Sequence, residues 1–342
     1  MKKAVSLILI IAIILLVFSG CGATPTSTES DTITMVWYPN ESGEDLKGAR
    51  EEIGKLIEEA TGKTVEHQLT TDYVIAIEAI ANGNAQMGFF GAQGYIEANT
   101  KNDKVQPLVV NSGSSGTLDD AVYYSWLNVK KGNEDAYKSG EEYAIDNIQG
   151  KKFSFVSNSS TSGFKVPSTS IAAYFSEMAD WKDLTADDLM EGGTDKFFSE
   201  VLYGGSHQGS AVNLLTDKAD VAAFCDVCVA NYVELAEGTQ NTPGAVYKVI
   251  EGAAEPFDTV VGAEFVSISV TPVLNAPFVI NTEYIDEETI QALRDVFTNE
   301  KVTNNESVFI PEDSETKGLW KQGERFLEVS DDWFNPIREL SK

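Results

Sequence analysis

The chain has 342 residues, 42% of them hydrophobic and 23% charged, with 25 Lys and Arg against 53 Asp and Glu for a net charge of −28. Such acidity repels nucleic acid and anionic lipid, and argues against either as a partner. Two histidines leave little material for a metal centre or an acid–base site, so neither metal nor cofactor is expected and the chain reads as a non-enzyme.

The first element is a targeting segment. Met1, Lys2 and Lys3 precede an apolar run over residues 4–18, broken only by Ser6, and then Ser19-Gly20-Cys21-Gly22. A basic start, a short apolar stretch and small residues at its end predict a secretory signal over residues 1–20, too short and wrongly flanked for a membrane span. Cys21 directly after the small pair reads as a lipobox, with a diacylglyceryl group on the thiol and cleavage before it. Phe18 stands where such boxes more often carry Leu, and a plain signal peptide or an uncleaved anchor are the alternatives. Residues 21–31 are polar and aperiodic, a solvated tether. The protein is thus expected on the extracellular face of the cytoplasmic membrane, held by lipid alone.

The roughly 310 residues that follow exceed what one hydrophobic core serves, so two lobes are expected. Residues 32–38 alternate as a strand. Residues 45–61 carry helical spacing (Leu46, Ala49, Ile53, Leu56, Ile57, Ala60) and stop at Gly62. A strand at 65–69, a helix at 72–81 capped by Asp72, a strand at 86–90 and a helix at 93–99 follow, then strands at 105–110 and 123–129. This order predicts an open, mostly parallel sheet with helices on both faces. A second unit starts near Gly150: a strand at 152–156, a Ser/Thr-Gly turn at 159–163, a helix at 167–177, helical residues at 212–216 and a strand at 220–224. Residues 194–198 have no clear period. Extended segments at 264–270 and 278–281 precede helices at 287–298 and 314–326, with a last stretch at 332–334 ahead of Pro336. Expected boundaries are 32–148 for the first lobe, 149–270 for the second, and 271–342 for a return to the first.

Three segments carry candidate chemistry. Asn158-Ser159-Ser160-Thr161-Ser162-Gly163 lies between a predicted strand and helix, where hydroxyls, free N–H groups and the helix dipole favour an anion; a plain capping turn is the alternative. Gly163 lets the backbone approach closely. His207, among glycines at another helix start, is placed to donate to an oxyanion in neutral or charged form, with a structural or exposed histidine as the alternative. Gly204-Gly205-Ser206-His207-Gln208 comes near a nucleophile elbow but lacks its last glycine, against a hydrolase. Cys225-x-x-Cys228 has no second pair to make a zinc site; a disulfide and two buried thiols both remain open.

Thr70-Thr71-Asp72-Tyr73, the run 79–91 ending Phe89-Phe90-Gly91, Asn147-Ile148-Gln149-Gly150-Lys151, Ser159 to Phe164 with Pro167, and Gly204 to His207 followed by Asp220-Val221-Ala222 occur in that order. Together they resemble the phosphate/phosphite/phosphonate-binding proteins of ABC importers, over residues 32–298. The resemblance implies a type II periplasmic-binding-protein fold, α/β, with two lobes of open mixed sheets and a double hinge. It implies a monomer that closes on a small phosphorus oxyanion and delivers it to a membrane permease and its ATPase. Ser160, Thr161, Ser162 and His207 match the oxyanion-holding positions of the second lobe, with Gly163 in the same turn. Tyr73 matches a first-lobe tyrosine, and Phe90 and Gly91 the other wall. Phe90 lacks a hydroxyl that relatives can have there. Asn275-Ala276-Pro277 lacks the acid an aminophosphonate binder can carry, with Asp226 the candidate replacement. These departures point to phosphate, phosphite or a small alkylphosphonate. A binder of sulfonates or cofactor precursors, or a surface sensory protein, are the alternatives.

Overall fold

The computed structural model describes residues 30–312, 314 and 316–340. The signal, Cys21 and nearly all of the tether lie outside the described residues. Among those described, no helix is long and apolar enough to cross a membrane.

The chain opens with β1 (Thr32–Trp37), α1 (Lys47–Thr61), β2 (Thr64–Leu69), α2 (Tyr73–Ala81), β3 (Met87–Phe89), α3 (Ala92–Lys101) and β4 (Val105–Asn111). β1 sits between β2 and β3, parallel to both. Helix ends have local causes. α1 stops on Gly62 in the left-handed region at φ +70°, and Asp72 caps α2 by accepting from Val74 N–H at 2.7 Å.

The chain then crosses to a second sheet for β5 (Val122–Lys130), β6 (Lys152–Phe155), α4 (Val166–Ser176), β7 (Glu200–Tyr203), α5 (His207–Leu215), β8 (Val221–Cys225), β9 (Val233–Glu237), β10 (Val246–Val249) and β11 (Glu264–Leu274). It returns for β12 (Pro277–Asn281), α6 (Glu287–Thr298) and β13 (Phe326–Glu328). Strand order is β13-β4-β12-β3-β1-β2 in the first sheet and β9-β10-β11-β5-β8-β6-β7 in the second. The second sheet is parallel only across β8, β6 and β7, so both sheets are mixed rather than mostly parallel.

Each sheet has an apolar core on both faces, as the period of two along a strand requires. In the first, Val36, Val110 and Val279 join one core while Met35, Trp37, Val109 and Phe278 join the other. In the second, Val221 and Ala223 face one core and Ala222 and Phe224 the other. The interior strand β8 is buried along its whole length.

Two expectations need correction. Val122–Lys130 pairs within the second sheet, so the crossings fall between Asn111 and Val122 and between Leu274 and Pro277, not at 148/149 and 270/271. The second crossing is stitched to the first: Asn275 N–H donates to Ala121 O at 3.0 Å and its side-chain amide to Asn111 O at 2.7 Å. The helix expected at 314–326 does not form among the described residues. Phe309–Ile310 pairs with Trp320–Lys321, Phe326 enters β13, and Gly323 at φ +97° breaks any helical run.

Candidate functional site

Every first-sheet turn that follows β1, β2 or β3, and the second-sheet turns after β6, β7 and β8, send residues into one cleft of about 370 Å³. Parallel strands end there, and the open ends of strands and starts of helices make a natural ligand site.

The turn after β6 is shaped by its own side chains. Ser160 caps one π-helical turn, Thr161–Lys165, that leads into α4: its hydroxyl accepts from Gly163 N–H at 3.0 Å, and Lys165 N–H donates to Ser160 O at 2.9 Å. Any side chain at Gly163 would overlap Val156, which is why glycine closes the turn. Ser125 on β5 donates to Ser162 O at 2.6 Å. Ser160, Thr161 and Ser162 are thereby fixed and buried while facing the cleft.

His207 is the first residue of α5, which Ser206 caps by accepting from Gly209 N–H at 3.0 Å. Its Nδ1 accepts from Cys225 N–H at 2.9 Å, which leaves the proton on Nε2, 3.4 Å from Ser160 Oγ. Burial pushes the imidazole down to about 3, so it is a neutral donor. This is not a catalytic pair. A base for Ser160 would need a bare Nε2 and a carboxylate on Nδ1, and here Nδ1 takes a backbone N–H.

The first lobe supplies the facing wall. Tyr38 stacks between Tyr73 (ring centroids 4.1 Å) and Phe90 (4.7 Å). Asn40 donates to Tyr73 Oη at 2.6 Å and accepts from His207 N–H at 3.1 Å, spanning the lobes. Gln93 N–H, at the start of α3, donates across the cleft to Thr161 Oγ1 at 2.9 Å. A Cβ on Gly91 would come within 2.8 Å of that oxygen, so glycine permits this approach. Thr161 still has its own proton to donate. The set as a whole is three hydroxyls and a neutral imidazole, an array of neutral donors suited to an anion with no arginine among them.

The family model for the periplasmic substrate-binding protein of phosphonate ABC transporters matches residues 35–334. This chain belongs to that family. The phosphate-import protein PhnD of Mycolicibacterium smegmatis is similar, at 29% identity over 227 residues; the match spans 64% of this chain and 64% of PhnD. Two solved structures share the fold, each at a TM-score of 0.62 and covering 91% of this chain. One is a binding-protein component of an ABC phosphonate transporter from Pseudomonas aeruginosa (20% identity, 85% of that chain covered). The other is PhnD1 from Prochlorococcus marinus in complex with methylphosphonate (14% identity, 97% covered).

Within this phosphonate-binding family member, the structure brings Tyr73, Phe90, Gly91, Ser160, Thr161, Ser162 and His207 to the cleft and leaves two expected residues outside it. Gly163 shapes the turn from behind. Asp226, expected to face the ligand, instead accepts from Tyr124 N–H at 2.8 Å and Asn241 Nδ2 at 3.1 Å; its neighbours Val227 and Cys228 line the cleft. Cys225 and Cys228 form a disulfide, made possible by the short helix Asp226–Val229 that brings their Cα atoms to 5.5 Å.

Sequence reasoning missed Asn40, Glu41 and Tyr123. The signal for the first two was positional, since Pro39-Asn40-Glu41 directly follows a parallel strand. Tyr123 lies on a crossing strand whose role depends on the whole topology. Burial raises the hydroxyl pKa values of Tyr73 and Tyr123, which keeps both as neutral donors.

Proposed function

We propose that this protein captures a small phosphorus oxyanion between its lobes and delivers it to an ABC permease driven by its ATPase. Phosphate, phosphite and small alkylphosphonates fit best. The carrying observation is the Ser160–Thr161–Ser162 turn set against a neutral, Nε2-protonated His207, a donor array with no acidic group left for a ligand ammonium at Asp226 or at Asn275-Ala276. Neutral, preorganised dipoles hold an anion in a protein of net charge −28 because the acidic exterior is screened while the cleft is not. Isothermal calorimetry of the chain lacking its tether tests this. Phosphate, phosphite and methylphosphonate should give heat and sulfonates none; the reverse order overturns the assignment.

The same reading places the protein outside the cytoplasmic membrane, anchored by paired acyl chains on Cys21, since one chain alone binds only marginally. Cys21→Ser should abolish metabolic lipid label. A wild-type protein that carries no label ends the lipoprotein reading.

A further inference from the structure

A buried carboxyl group faces this cleft without a partner for one of its oxygens. Glu41 ends the 3-10 turn Pro39–Glu41 after β1; it is 8% exposed and lines the cleft with Tyr73 and His207. Its Oε2 makes no hydrogen bond to any described residue. The turn itself is held on every side. Arg50 donates to the carbonyls of Glu41 and Gly43, Asn40 bonds both Tyr73 Oη and His207 N–H, and Gln208 Nε2 donates to Asn40 O at 3.1 Å. The titratable groups that face Glu41 are Arg50 from α1, Tyr38 beyond β1, Tyr73 from α2, Tyr123 from β5 and Tyr232 from the loop before β9. Arg50 is the single cation among them, and it is bonded to the two carbonyls.

We infer that Glu41 contacts the ligand directly and that its carboxyl and the bound oxyanion hold one proton between them. The inference rests on the oxyanion reading above. A dianion beside an ionised Glu41 would put three negative charges against neutral hydroxyls and imidazole, since of the two lysines lining the cleft Lys317 donates to Asn231 O and Lys321 is exposed. A single proton turns that repulsion into an O–H···O⁻ hydrogen bond. Glu41 supplies the proton to a dianion, or a monoanion's P–OH supplies it to the carboxylate; the complex contains one proton on either route. Burial pushes the Glu41 carboxyl up to about 8, opposed by hydrogen bonds from its own N–H and from Asn40 and by Arg50, so at neutral pH Glu41 brings the proton. His207, held down near about 3, takes no part in this titration. Glu324, which also lines the cleft and is pushed up to about 7 by burial, accepts from Asn111 at 2.9 Å and is the rival carboxyl for that proton.

The test is calorimetry with methylphosphonate at about pH 9, in two buffers of different ionisation enthalpy. Wild type should take up about one proton per ligand, and its affinity should fall about tenfold per pH unit above that point. Glu41→Gln keeps an N–H donor and the side-chain shape, so it should take up none and lose the pH slope, while Glu324→Gln should still take up about one proton. Wild-type uptake needs no variant, so a Glu41→Gln protein that misfolds leaves the test intact. Binding without proton uptake in wild type overturns the inference and leaves the oxyanion reading standing. A Glu41→Gln defect confined to aminoethylphosphonate also overturns it, in favour of an ammonium contact. A wild type that binds neither methylphosphonate nor inorganic phosphate overturns both.

Discussion

Ser160, Thr161, Ser162 and His207 differ in what else they hold, and that separates the expected effects of removing them. Hydrogen bonds to a charged group contribute about 1.5–3 kcal/mol, so each alanine substitution should weaken methylphosphonate binding about tenfold to a hundredfold. Ser160 also caps its turn through Gly163 N–H, so Ser160→Ala should cost about 1 kcal/mol of stability as well. Ser162→Ala should leave the melting temperature nearly unchanged. Affinity that survives all four substitutions while stability falls would reduce the turn to a cap. Two buried groups of the site contribute to the titration of the unliganded protein. His207 has a depressed value, so its contribution is present above about pH 6.5 and is lost as pH falls toward about 3. Glu41 has a raised value, so its contribution is present below about pH 4.5 and is lost as pH rises through about 8. Thermal unfolding across pH should show both limbs, and Glu41→Gln should flatten only the alkaline one; an unchanged alkaline limb would mean Glu41 is solvated.

At the scale of elements, Gly91 offers the cleanest probe, because α3 meets the Thr161 turn only if nothing projects from that glycine. Gly91→Ala should lower affinity about tenfold or more with little change in melting temperature, since the clash exists only when the lobes meet. Equal loss of stability would place the strain inside the first lobe instead. Elements whose pattern agrees with their surroundings were readable from sequence: the amphipathic α1 with its Gly62 stop, the Asp72 cap of α2, and α6 at the expected residues Glu287–Thr298. β9 was not, because as an edge strand it is largely exposed and its residues do not alternate. The π-helical form of the Ser160 turn was also hidden, since a Ser/Thr-Gly run suits several turn types and Val156 decides among them. Of the site, residues matching an ordered set of motifs were legible. Asp226 was misplaced because its register depends on the disulfide-closed turn beside it, and Glu41 was overlooked because a glutamate is ordinarily solvated.

For the whole molecule, the two crossings are the covalent links between the lobes among the described residues, and Asn275 couples them. Bonds across the cleft depend on closure: Asn40 to His207, Gln93 to Thr161, Ser159 to Glu97 at 2.7 Å and Tyr232 to Asp45 at 2.8 Å. A ligand that bonds both walls adds to this set only in the closed form and therefore shifts the population toward it. Small-angle scattering should show a smaller radius of gyration with saturating methylphosphonate. Superimposable curves would mean the lobes do not move on binding.

The placement of the cleft at the ends of strands has a consequence for how such a protein changes over generations. Asn40, Ser160 and His207 sit on turns or first helical positions, outside the four apolar cores that keep the sheets together, while Tyr73 and Phe90 belong to one of those cores. The polar contacts of the cleft are therefore written in residues separate from the cores, and only its aromatic wall is shared with them. A lineage can change what the cleft accepts by rewriting a few polar turn positions, with each intermediate still able to fold.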